Sequence, residues 1–385
     1  MTVARWTGHE AALLGEAMRM PIRVYAERLG VNPRTVTKWR ARGHSIELLP
    51  ETAMLLDSLL RMCEPDVAAV FHAALADGRE NTPADGQSAP LGPFTVVSHK
   101  LLPIYVGEPL RSLSRRGRPH PVGPGGLEHR VTEAGHPDAE ESYLHFYDCG
   151  VAVFHLAQLR TAHSLGELAE WRYRTYATDL VWAGDRLNEL LGPGAPRAEY
   201  VLSAYVLEDS PWDGRLLPTA LQMLTTPSAV VDRGHPDGPT RLGVDTDRAL
   251  LSQGYAHPDV VDFGSRAVSI GLAGWSGVAY HPLAPERALA AEAIVALELD
   301  VQALWALSTH VLDEVEAGRD PVMPPDYGWR FLRGARSRLT AARPQETAQH
   351  QLMREAILAT SGLPERLRSA QEALREAGTT PKPGP

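Results

Sequence analysis

Apolar residues in the first 75 positions recur at helical spacing, and the residues between them are of the kinds that start and stop helices. Thr7-Gly8-His9-Glu10 forms a capping box, which opens a helix carrying Leu13, Leu14, Ala17 and Met18 inward, and Pro21 ends it. Tyr25 and Leu29 then share one helical face, as do Val36 and Trp39. Between these pairs, Ala26 is small enough for a close helix crossing. Gly30 suits the left-handed residue that ends a helix, Asn32 suits an N-cap, and Pro33 suits a first helical position. The pattern predicts a helix, a tight turn and a second helix from about Pro33 to Gly43, with Arg34, Thr35, Thr37, Lys38 and Ala41 facing outward. Pro50 starts another helix whose Leu55, Leu56, Leu59 and Leu60 either close the core or, if partly exposed, form a dimer seam. After Pro65 a short helix reaches about Leu75, making five helices in an all-α domain over 1–76.

The pattern then changes. Residues 77–93 hold almost nothing apolar and read as a linker. Strand material follows over 94–106, broken by Pro103, and then a polar, Gly- and Pro-rich loop over 111–141. Residues 143–156 read as a strand or hairpin around Gly150, and Ser164 caps a long helix that Gly192-Pro193-Gly194 ends. A strand at 200–207, a helix at 216–224, a loop at 232–247 and strands at 266–280 split by Gly274 and Gly277 come next. A long helix covers 286–318, more helix runs from about Trp329 to Ala377, and 378–385 is a disordered tail. The expected fold is the all-α N-terminal domain followed by a larger α+β domain at 94–283, with a helical C-terminal region at 284–377 packed on it.

Composition narrows the function classes. At 385 residues the chain is long enough for two or three domains, and 44% hydrophobic with 22% charged residues is a globular balance. Residues 1–43 carry eight Arg or Lys against three acids, a net of +5, while the whole chain is −9, leaving −14 for the remainder. A basic head on an acidic body is the electrostatic pattern of a nucleic-acid-binding domain joined to something else. Only Cys63 and Cys149 occur, so no disulfide framework is expected, and a reducing cytoplasm fits. The first residues show no basic segment followed by an apolar core, and no uncharged run of eighteen apolar residues occurs, so neither a signal peptide nor a membrane partner is expected.

Ala26, Gly30 and the inward Tyr25, Leu29, Val31, Val36 and Trp39 resemble the motif of the lambda-repressor-like (Xre-type) helix-turn-helix regulators. The resemblance covers roughly residues 6–75. It implies a second helix in the DNA major groove, with Arg34, Thr37 and Lys38 at base edges, Asn32, Pro33 and Thr35 beside them, and Arg23 at the backbone. Arg40 and Arg42 complete the candidate DNA-binding set. Ile22 departs from the family, which often has a phosphate-binding Gln there. The expected function is a sequence-specific, dimeric, DNA-binding transcriptional regulator near the nucleoid, with a body that dimerises or takes a small-molecule or protein ligand. A motif used only for packing or protein contacts is the bland alternative. An enzyme or defence effector with an autoregulatory head, and a plasmid or chromosome maintenance factor, are the functional ones.

No other pattern assigns chemistry. His120, His129, His136, His145, His155 and His163 cluster near Asp148 and Cys149, but their spacing matches no usual zinc pattern, so no metal or cofactor is assigned, and His145 and His155 read as ordinary strand residues. Gly274-Trp275-Ser276-Gly277 lacks the glycine of a nucleophile elbow because Val278 occupies its place. Gly123-Pro124-Gly125-Gly126 lacks the Lys-Ser/Thr of a phosphate loop. Glu292, Glu298 and Asp300 read as a solvated helix face or as partners of Arg. Trp171, Trp182, Trp212, Trp275 and Trp305 read as core. Arg111, Arg115, Arg116 and Arg118 read as a solvated loop or as contacts to DNA phosphates, and no catalytic residue is named.

Overall fold

The computed structural model describes residues 6–18, 20, 22–43, 46, 48, 50–61, 63, 67–68, 71, 90–107, 110, 117–120, 127–264, 268–318, 332, 334, 339 and 347–379. The chain divides into two compact units, residues 1–89 with 248–258, and residues 90–247 with 259–385.

The N-terminal region is helical: α1 (Gly8–Ala17), α2 (Ile22–Arg28), α3 (Pro33–Arg42) and α4 (Pro50–Arg61). Both halves of the Thr7/Glu10 capping box form at the start of α1. Gly30 lies at φ +64°, in the left-handed region, and turns the chain between α2 and α3. Asn32 caps α3 by accepting the Arg34 amide at 2.9 Å, and Pro33 follows at the first position. Tyr25, Ala26, Leu29, Val36 and Trp39 pack in one core with Leu14 of α1 and with Leu56, Leu59 and Leu60 of α4. Leu55 is 49% exposed, so three of the four leucines on α4 close this core. The helix expected after Pro65 and the linker expected at 77–93 fall mainly outside the described residues.

The second unit is built on a nine-stranded sheet, in the order β2-β3-β4-β5-β1-β6-β11-β10-β9. The strands are β1 (Phe94–Tyr105), β2 (Arg118–Pro119), β3 (His129–Glu133), β4 (Glu141–Tyr147), β5 (Val151–Ala162), β6 (Leu202–Asp209), β9 (Val261–Asp262), β10 (Ser269–Gly274) and β11 (Gly277–Pro282). The sheet is mixed: β11 runs parallel to β6, and the remaining ladders are antiparallel. A separate ribbon joins β7 (Val231–Asp232) to β8 (Thr240–Arg241). The described helices of the rest of the chain are α5 (Leu165–Leu191), α6 (Leu216–Thr225), α7 (Val244–Gln253), α8 (Ala291–Glu316), α9 (Ala348–Ser361) and α10 (Leu363–Thr379).

Alternation along the strands sorts side chains between two cores. Leu101, Val151 and Val153 join the helices α8, α9 and α10 on one face. Leu102, Phe154 and Leu156 join Ala183 and Leu187 of α5 on the other. By length and composition α8 could cross a membrane, yet 78% of its most apolar window is buried within the protein.

Several expectations are corrected. Pro103 does not break β1: β6 pairs with β1 only from Thr95 to Leu101, so at Pro103 that side carries no ladder and a missing N–H is tolerated. The polar stretch 111–141 contains β2 and β3, which pair with each other, and β3 pairs in turn with β4. The expected loop at 232–247 holds β8 and the start of α7. Helix α10 extends through Gly378 and Thr379, and the rest of the expected tail lies outside the described residues. Gly277 is obligatory in the β10–β11 hairpin: its φ is +151°, and a Cβ there would meet the Ser203 carbonyl oxygen.

Candidate functional site

Three places could carry function. The first is the outer face of α3. Val36 and Trp39 are buried, so Arg34 and Lys38, one turn apart on the opposite side, are exposed. Thr35 and Thr37 are partly buried, and the Thr37 hydroxyl donates to the Pro33 carbonyl at 3.1 Å. Asn32 and Pro33 are exposed at the start of the helix, and Arg23 is exposed on α2. Arg40 sits apart from Arg34 and Lys38, with its guanidinium 3.8 Å from Glu16 of α1. The side chains of Ala41 and Arg42 lie outside those described.

The second is a cavity of about 720 Å³ in the sheet unit, lined by Arg172, Arg233, Trp275, Glu298, Gln302 and Trp305 among others. Arg172 is buried: its Nη2 donates to the Ser276 carbonyl at 2.7 Å, and its Nη1 has no partner among the described residues. Arg233 lies over the Tyr173 ring. Tyr200 donates to Gln302 at 2.7 Å, and Gln302 donates to Glu298 at 3.4 Å. Burial pushes the Glu298 carboxyl up to about 7, with the Gln302 hydrogen bond opposing the shift. Glu298 and Asp300 are therefore buried and not the solvated face expected. Asp300 accepts from the Leu127 amide and the Tyr147 hydroxyl, both at 3.2 Å. Trp275 is 59% exposed and shares this cavity with Trp305, so not every tryptophan of the body is core. The Ser276 hydroxyl donates to the Thr225 carbonyl, which occupies it structurally.

The third is a cavity of about 580 Å³ on the α8 side of the sheet, where His99, His120, His145 and His155 converge. Alternation puts them there: His155 has the parity of Val151 and Val153 on β5, and His99 has that of Leu101 on β1. His99 Nδ1 and His155 Nε2 are 3.0 Å apart. His129, at the start of β3, joins the group, and ring nitrogens of His120, His129 and His145 all lie within 4.8 Å of one another. Burial lowers His99 and His129 to about 4 and His155 to about 3, and holds His145 well below the usual imidazole range. These four imidazoles are thus neutral near pH 7.

No metal ligand was assigned from sequence, because His129 and His145 lie on different strands and His120 just after a third, at spacings of nine and sixteen residues. The signal that could have found them is strand parity combined with the β3–β4 register, which pairs His129 with Tyr147 and Val131 with His145. His136 goes elsewhere, to 3.5 Å from Asp179, which also takes the buried Lys100 ammonium at 2.6 Å. His163 is exposed.

Protein-family models, curated proteins and solved structures were each compared with the chain, and none matches it.

Proposed function

We propose that the protein is a sequence-specific DNA-binding transcriptional regulator that reads a two-fold site as a homodimer. The observation that carries this reading is the surface of α3, where Arg34 and Lys38 project on the side opposite the buried Val36 and Trp39. The basic charge of residues 1–43 and the Xre-type resemblance support it. One such helix contacts too few base pairs for useful specificity, so two copies on half-sites about 34 Å apart are required. The second unit supplies a place for a controlling ligand. The buried Arg172, with Arg233 and the aromatic rings nearby, suits a small organic anion.

The test is selection of the full-length protein against random duplexes at near-physiological salt. A palindromic consensus is expected, and Arg34→Ala and Lys38→Ala should each cost roughly 1–3 kcal/mol at one base position. Absence of any enriched site, or equal losses on selected and random DNA, would overturn the reading.

A second reading is favoured by the histidine-lined cavity, whose convergent imidazoles and glutamates suit an enzyme that carries an autoregulatory DNA-binding head. A selected consensus with no metal- or ligand-dependent turnover would favour the regulator, and turnover would favour the enzyme.

A further inference from the structure

The three clustered histidines are brought together by strand pairing. His120 follows β2, and its amide donates to the His129 carbonyl at 3.0 Å, which places those two residues side by side. His129 pairs across to Tyr147 on β4, so His145, two residues earlier on that strand, is its diagonal neighbour on the same face. The His120 and His129 rings stack at 4.6 Å, and His145 stands at 68° and 58° to them.

Two of the rings are deeply buried, His129 at 6% and His145 at 2% exposure. Buried polar atoms are almost always satisfied. Yet His129 Nε2 and both nitrogens of His145 have no hydrogen-bond partner among the described residues. The other nitrogen of His129 explains what its lone pair is for. Nδ1 lies 3.2 Å from the Leu127 carbonyl, which can only accept, so Nδ1 carries the proton and Nε2 presents the lone pair toward its neighbours. The Leu127 backbone is itself held by Asp300. A carbonyl that fixes the tautomer of a ligating imidazole is the usual support of a metal site. Four glutamates, Glu140, Glu141, Glu208 and Glu292, against Arg118 alone among Arg and Lys, line the cavity in front of the cluster, which favours a cation.

We propose that His120, His129 and His145 bind one divalent transition-metal ion of the Zn²⁺ class, with its fourth coordination position open to the cavity. Three imidazole ligands select Zn²⁺, Co²⁺, Ni²⁺ or Cu²⁺ over Mg²⁺ or Ca²⁺, which take oxygen ligands. A tetrahedral ion about 2.1 Å from each nitrogen sets the nitrogens about 3.4 Å apart. Metal binding requires the cluster, whose nitrogens lie within 4.8 Å of one another, to close to that spacing, and His120 is its partly exposed member. Three protein ligands and one open position form the arrangement of a metal that takes an exogenous ligand. The proposal is independent of the DNA-binding reading.

The experiment uses the full-length chain without an affinity tag, stripped with a chelator. Zn²⁺ is titrated in competition with a chromophoric chelator, and Co²⁺ is followed by its visible absorption. One Zn²⁺ per chain and the intense visible bands of tetrahedral Co²⁺ are expected, with no response to Mg²⁺. His145→Ala should weaken Zn²⁺ binding on the order of 100-fold or more, beyond what loss of an outer-shell partner does. His120→Gln, on the exposed side of the cluster, should do the same without disturbing the core. His163→Ala, an exposed histidine outside the cluster, should change nothing. The proposal is overturned if the wild-type chain binds no Zn²⁺, or if His120→Gln binds it as tightly as wild type.

Discussion

Glu298 shows how far position decides the chemistry of one residue. It sits on α8 between apolar neighbours, where burial holds its carboxyl at about 7 against an ordinary 4.5. A carboxyl raised in this way contributes stability that is complete below about pH 4.5 and is lost as pH rises through 7. Glu298→Gln keeps the neutral form at every pH. Urea unfolding of the two proteins should therefore give similar stabilities near pH 4.5, with the variant ahead by on the order of 3 kcal/mol at pH 8. Parallel stability curves would show that the carboxyl titrates alike in the folded and unfolded chains and is not raised by burial. Lys100 is the contrasting residue: its buried amine donates to Asp179 and to the Thr175 hydroxyl, both at 2.6 Å. Burial lowers its pKa, and Asp179 opposes that shift.

The caps give each helix a boundary that side chains alone can specify. Asn32 holds the first turn of α3 through the Arg34 amide, and nothing else among the described residues replaces that bond. Asn32→Ala should cost roughly 1 kcal/mol and speed hydrogen exchange at the Arg34 amide, while Asn32→Asp should retain protection. Unchanged exchange in the alanine variant would mean that the cap is made by water. Strands in polar surroundings behave differently. Segments β2 and β3 lie in a stretch rich in Gly, Pro and Arg, and they form because β4 offers a ladder to β3 and β3 offers one to β2.

For the whole molecule, charge is unevenly shared between a head of net +5 and a remainder of −14. Under the DNA-binding proposal, affinity should fall steeply between low and physiological salt as counterions are released. Arg23→Ala, on the side assigned to the DNA backbone, should weaken specific and random duplexes alike and reduce the slope of log K against log salt by about one. A slope unchanged by this substitution would remove Arg23 from the interface.

Local signals were enough for the helical head. The Thr7 and Asn32 caps, the left-handed Gly30 and the inward Tyr25, Leu29, Val36 and Trp39 are short-range features, because a helix closes its own hydrogen bonds within four residues. The hairpins around Gly150 and at Gly274–Gly277, and the long helices α5 and α8, were legible for the same reason. Strand order, the parallel pairing of β11 with β6, the continuity of β1 through Pro103 and the burial of Glu298 and Asp300 were not. Each depends on partners far away in the chain. The histidine cluster is the clearest case: His120, His129 and His145 become neighbours only once β2, β3 and β4 are aligned in register. Sequence by itself determined the face that α3 presents. The tertiary structure alone decided which histidines meet, because sheet contacts are set by long-range pairing and not by spacing along the chain.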